Sequence, residues 1–396
     1  GKCNTASGYC STVGGGTRNQ VNAIFSTIGG GGFNTASGIY STISGGYLNT
    51  ASGRYSSIGG GKTNLATDDG TVIAGGGFNT ASTCYASILG GQNNCACDYF
   101  TTVVGGFLNC AWGRGSSVVG GFENYSCCGY GFVGGGYRNQ LVGVSSTIVG
   151  GTCNYIFGDC STIGGGNFNA INGSSFATIG GGCCNSTYGN FVTIGGGKSN
   201  SASGYCSTIS GGYYNNANCG YSTIGGGAEN SANGYRSTIA GGSSNTTLGD
   251  CSFIGGGQSN ETSGLSSVVV GGDANDVAND YSFIGGGSGN LILQPYSTIS
   301  GGYNNRVQGS YSNIVGGNCN TVTYAESSIV GGRCNTVSAY CSSIVGGRCN
   351  CVCNQYSFIG GGHCNTASGQ YSFVGGGCRN RALANYSTVS GGKSND

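Results

Sequence analysis

An asparagine recurs every fifteen residues along this chain, and no other feature limits the possible fold so tightly. The column starts at Asn4, passes Asn19, Asn34 and Asn49, takes one step of sixteen from Asn169 to Asn185, and returns to fifteens as far as Asn395. All 27 places in it are Asn, and a second column, running Val13, Ile28, Ile43, Ile58 through to Val389, holds only Ile or Val in its 26 places. The stretch "NTASGIYSTISGGYLNTASGRYSSIGGG", residues 34–61, carries the phrase twice. A short strict period without spacers belongs to a solenoid, in which each repeat stacks on the one before.

Fifteen residues suffice for two short strands and two turns, one flattened coil of a parallel β-solenoid. The period therefore predicts an all-β fold of about 26 coils, fifteen residues each with one of sixteen, as a single uncapped repeat domain over residues 1–396. N-T-A-S reads as the first strand and Y-S-T-I as the second. Side chains alternate along a strand, so the Ile/Val column faces the small column Ala6, Val21, Ala36 and Ala51 inside the coil. The ladder Asn and the Ser before Thr-Ile share those inward faces. Such a core is thin: each buried Ile or Val contributes about 1.5–3 kcal/mol, so hydrogen bonds between coils and stacking of like side chains must supply much of the cohesion. The Gly-Gly pair after each Ile marks a corner that needs φ > 0 or admits no Cβ.

Composition removes several function classes. Gly accounts for 87 of 396 residues and charged residues for 7%, against about a quarter in ordinary globular domains. Disordered Gly-rich segments do not keep β-branched and aromatic residues in register, and collagen needs Gly at every third place. With net charge +1 and no basic run, nothing draws the chain to nucleic acid or an anionic membrane. No stretch reaches the ~20 apolar residues of a membrane span, so no membrane insertion is expected. The "GGG" runs lack the Lys-Ser/Thr and helix start of a phosphate-binding loop. Acidic residues number 13 and form no column, unlike calcium-binding nonapeptide repeats. A lone His363, no Ser-His-Asp set and no paired carboxylates leave neither a general base nor a nucleophile. The chain reads as non-enzymatic and without a cofactor.

The 23 Cys point to an oxidising compartment outside the cell. Cys319, Cys334, Cys349 and Cys364 stand in one column on successive coils, and Cys95 and Cys110 in another. Stacked coils bring equivalent Cα atoms to ~4.8 Å, within disulfide range, so the expected bridges are Cys319–Cys334, Cys349–Cys364 and Cys95–Cys110. Cys10, Cys160, Cys206, Cys251 and Cys341 replace the aromatic six residues after the Asn and have no neighbour in their column. Three coils pair such a Cys with one just before the Asn: Cys3 with Cys10, Cys153 with Cys160, and Cys334 with Cys341. These are candidates for bonds to another chain. A zinc reading of His363 with Cys349 and Cys378 is weighed and set aside, because there is one His and no recurring Cys-x-x-Cys.

Function is expected on the outward columns. Tyr281, Tyr296, Tyr311, Tyr356, Tyr371 and Tyr386 follow the Asn by six residues, and Phe283, Phe358 and Phe373 interrupt the Thr column beside them. A long apolar stripe on a chain with so little charge predicts association, side by side and end to end, with copies of itself. A solvated Tyr ladder and sugar stacking on the rings are the other readings of the same column. The Thr and Ser of N-T-A-S suggest an ice-binding alternative, with breaks at "NLATD", "NCACD" and "NCAWG". Six sequons occur, at Asn124, Asn172, Asn185, Asn245, Asn260 and Asn385. Four lie in the inward ladder, leaving Asn172 and Asn385 as glycosylation candidates.

The small-residue strand, Gly-rich turn and N-x-A-x-G segment, as in "SIGGGKTNLATDDG" at residues 57–70, resemble the head-domain repeats of trimeric autotransporter adhesins (YadA-like). The repeat here is longer than the family's and carries cysteines those heads lack. The resemblance implies a left-handed parallel β-roll, a trimer and a place on a cell or virion surface, with a surface glycan or host receptor as a further partner. Both ends fall at the same point of the unit without a cap, so a piece of a longer fibre, or a subunit whose ends meet neighbours, is expected. The function so predicted is an extracellular, self-assembling structural fibre or adhesive stalk segment, with an ice- or glycan-binding β-solenoid as the alternative.

Overall fold

Three corner positions recur from coil to coil with a left-handed backbone, and these corners set the coil's shape. In one coil they are Gly31 (φ 87), Phe33 (φ 58) and Tyr40 (φ 60). Between them the chain has room only for pairs of extended residues, here Thr35–Ala36 and Thr42–Ile43. The computed structural model describes residues 1–396 and is all-β, with 52 two-residue strands and no helix. The strands are shorter than N-T-A-S and Y-S-T-I suggest, because Tyr40 and its equivalents turn a corner instead of extending the second strand.

The chain forms two compact units, Gly1–Ser199 and Asn200–Asp396. Each contains 26 of the strands, two to a coil. The phrase crosses Ser199 and Asn200 without a change of composition, so the period alone suggested one domain over residues 1–396.

Within each unit the coils pair parallel and in register. Thr35 lies opposite Thr50 and Ala36 opposite Ala51; in the second unit Thr321 meets Thr336 and Val322 meets Val337. A third line of parallel pairing, which the sequence did not suggest, runs through the residue two before the Asn, as in Gly32 to Tyr47 and Tyr47 to Lys62. Strand N–H groups donate to the following coil, as Thr35 to Asn49 (2.8 Å) and Thr42 to Ser56 (2.9 Å). The left-handed corners reverse this: Tyr40 donates back to Ile24 (3.1 Å) and Leu48 back to Gly32 (3.0 Å). The corner conformation costs an L-residue about 1–2 kcal/mol, and these return bonds offset it. In the sixteen-residue coil the extra residue goes into the loop holding Gly173 (φ 71), so Ala170 still pairs with Ser186 and Thr162 with Thr178.

The interior is half apolar and half amide. Ile43, Ile58, Ala36 and Ala51 are fully buried, and so are Asn34 and Asn49. Asn49 Nδ2 donates to the Gly45 carbonyl of its own corner (3.1 Å) and to Gly61 of the next coil (3.0 Å), while its Oδ1 accepts from the Asn64 N–H (2.9 Å). The amide therefore ties the glycine corners of two coils together, which is more than the stacking of like side chains. Gly31 shows why that corner is glycine: a Cβ there would sit 2.1 Å from the Gly46 carbonyl oxygen and 2.9 Å from Asn34 Nδ2.

Candidate functional site

With the interior occupied by this ladder, chemistry is left to the outward columns. The ring column sits on a left-handed corner, where successive side chains project in parallel. In the second unit Tyr281, Tyr296 and Tyr311 stack face to face with centroids 5.2 and 4.9 Å apart, and Tyr356, Tyr371 and Tyr386 at 4.9 and 5.1 Å. Phe358 and Phe373 stack at 5.5 Å on the adjoining strand, where Phe283 also projects. Stacking hides only part of each ring: Tyr281 and Tyr296 remain 48% exposed and Tyr311 59%. Glu326 and Cys341 separate the two Tyr runs, and the Cys341 thiol donates to Glu326 Oε2 at 3.2 Å. That carboxylate pushes the Cys341 thiol above its ordinary value. In the first unit Phe25, Tyr40 and Tyr55 form an equivalent run at 5.1 Å spacing.

A second aromatic ladder lies on the third line of pairing, which the sequence reading missed. Phe107, Phe122 and Tyr137 stack there at 5.4 and 5.3 Å. Its signal was present as an aromatic two residues before the Asn on successive coils. Where Gly77 interrupts that column, an open notch forms between Lys62, Phe78, Gln92 and Phe107.

The cysteines depart from the expected rung-to-rung pairs. Cys319, Cys334, Cys349 and Cys364 are free thiols, the first three exposed. In-register parallel coils carry their Cβ atoms side by side at about 4.8 Å, whereas a disulfide brings them to about 3.5–4.5 Å with the sulfurs turned across each other. Cys95 bonds to Cys97 of its own coil, not to Cys110 of the next. Cys110 is free and buried, and burial pushes its thiol up to about 12. The same two places in a coil of the second unit hold Cys351 and Cys353, with sulfurs 3.0 Å apart; burial, and then the Cys353 sulfur, push Cys351 up to about 12. Cys3, Cys10, Cys153, Cys160 and Cys341 are free, with Cys3, Cys10 and Cys160 exposed.

His363 meets Cys364 at Nε2 (3.6 Å) and Cys378 at Nδ1 (3.8 Å). The two thiols address opposite ring nitrogens, so this trio cannot enclose one ion. Of the sequons, Asn124, Asn185, Asn245 and Asn260 are buried in the ladder, Asn172 is half-buried and Asn385 exposed. No helix is long and apolar enough to cross a membrane. No family model matches the chain, and no curated protein matches it.

Proposed function

We propose that this chain is a structural element of an extracellular fibre or stalk, on a cell or virion surface, that assembles with copies of itself through its ring ladders. The observation that carries this reading is the Tyr281–Tyr296–Tyr311 stack, which leaves about half of every ring in water after its intrachain contacts are made. A flat apolar edge of repeated rings, on a chain with net charge +1, favours lateral packing over dispersal. The resemblance to adhesin head repeats points the same way. Exposed thiols of the ring column itself, Cys10 and Cys160 among them, would then meet a neighbouring chain and cross-link it under oxidising conditions.

Substituting Tyr281, Tyr296 and Tyr311 together by Ser tests the proposal, since these exposed rings are not needed inside the coil. Lateral assembly, followed by light scattering and electron microscopy, is expected to fall sharply while the β-sheet circular dichroism stays. Unchanged bundles would leave the rings as a solvated ladder and end the proposal.

A further inference from the structure

The first unit holds a cluster of sulfur that the fibre reading does not use. Cys95, Cys97 and Cys110 place their Sγ atoms within 4.8 Å of one another. Cys95 and Cys97 lie at the start and end of one short extended segment, and Cys110 stacks directly on Cys95 as its partner in the parallel pairing. Cys110 is only 7% exposed. It stands on the outward column of its strand, beside the inward Ala111, and is nonetheless covered at the coil surface.

We propose that, once the Cys95–Cys97 bond is reduced, Cys95, Cys97 and Cys110 form a three-thiolate site for a thiophilic d10 cation of the zinc class. Thiolates bound to zinc at about 2.3 Å lie roughly 4 Å from one another, a spacing these three sulfurs reach by small side-chain rotations. An all-sulfur set selects soft cations over calcium or magnesium, and three protein ligands leave a fourth position open. The disulfide gates the site. Reduction takes two electrons and two protons from a dithiol reductant, which leaves as its own disulfide; the cation then displaces the three thiol protons. Exchange with a small-molecule disulfide, which accepts the two electrons and leaves as its dithiol form, rejoins Cys95 to Cys97, removes two of the three ligands at once and releases the ion. The second unit supplies an internal control. Cys351 and Cys353 occupy the equivalent places, but the residue stacked on Cys351 is Thr366, so that pair lacks the third sulfur.

The test uses the full chain, reduced with a phosphine under anaerobic conditions, and Cd(II) as the probe against a competing chelator. Retained metal is read from the sulfur-to-cadmium charge-transfer absorption. Wild type and Cys351→Ser are expected to hold one ion equally well. Cys110→Ser is expected to bind at least about a hundredfold more weakly, the upper end of what losing even an outer-shell partner costs. Because the Cys110→Ser change could disturb the buried stack, the wild-type chain is also cycled: oxidation that forms Cys95–Cys97, verified by peptide mapping, should expel the ion and reduction should restore it. Retention by Cys110→Ser, an equal loss in Cys351→Ser, or binding that survives oxidation would each overturn the proposal. None of these outcomes depends on whether the chain assembles into fibres.

Discussion

A single buried amide serves three backbone partners in this fold. Asn245 donates through Nδ2 to Gly241 (3.1 Å) and Gly257 (3.0 Å), and its Oδ1 accepts the N–H of Asn260 (3.0 Å). Removing the amide leaves the buried Asn260 N–H without its acceptor and takes one donor from each of two partly accessible glycine carbonyls, of which Gly257 keeps the Ser243 N–H (2.9 Å); a buried group left unpaired costs about 1–3 kcal/mol. Asn245→Ala is accordingly expected to destabilise the second unit by about 1–3 kcal/mol, read as a lower midpoint in urea. A loss under about 1 kcal/mol would mean that water replaces the amide. The serines form a quieter version of the same device. Ser297 donates to the Gly309 carbonyl (2.9 Å) and Ser327 to the Ala339 carbonyl (2.7 Å), while the Ser297 N–H reaches the Ser282 hydroxyl at 3.2 Å. The sequence reading put both columns inside from strand alternation, but alternation carries no information about which carbonyls an amide will find. Those carbonyls belong to glycine corners whose position depends on the left-handed turns.

At the scale of the coil, the corners decide what the chain tolerates. Gly31 and Ser145 both hold positive φ (87 and 53), yet they respond oppositely to substitution. At Gly31 an added Cβ meets the backbone of the next coil at 2.1 Å, and Gly31→Ala is expected to cost more than about 2 kcal/mol, beyond the ordinary strain of the conformation. Ser145 is exposed, so Ser145→Gly removes about 1–2 kcal/mol of left-handed strain and gives back about 0.5–1 in unfolded-chain entropy. A stabilisation of up to about 1 kcal/mol follows; thermal unfolding of the two variants beside wild type checks both signs. Gly70 and Gly115 already stand at the same corner in other coils, with φ 64 and 67. These corners also explain what the sequence hid. Two of the three are filled most often by residues such as Phe, Tyr, Cys and Arg that carry no turn signal, so Tyr40 read as part of a strand and the third line of pairing at Tyr47 went unseen. The fold class, the fifteen-residue register and the inward Ile, Ala, Asn and Ser columns were legible because burial at a fixed period repeats the same residue. The cysteine pairing was not, since register sets only the Cα spacing and the bond depends on how two sulfurs turn toward each other.

Across the molecule, charge contributes almost nothing, and that has consequences for how it behaves in solution. The charged residues, 14 basic and 13 acidic, nearly cancel, and the Arg138–Glu123 ion pair lies at the surface. Such a pair is worth about 0–1 kcal/mol and is screened by salt. Cohesion comes instead from buried amides, backbone ladders within the chain and thin apolar columns, none of which salt weakens. Stability is therefore expected to shift by less than about 1 kcal/mol between low salt and about 1 M sodium chloride. Assembly through rings should behave differently from assembly through charge. Burial of aromatic surface is left intact or strengthened by excluded salts such as sulfate, whereas charge-driven association dissolves once the Debye length falls to about 3 Å at about 1 M. Scattering from wild-type bundles is expected to hold steady in sodium chloride and to rise in ammonium sulfate, with the Tyr281, Tyr296 and Tyr311 triple Ser variant failing to follow. Bundles that dissolve in about 1 M sodium chloride would instead place the association on the few charged side chains, Arg306, Arg333 and Arg348 among them, and remove the rings from the mechanism.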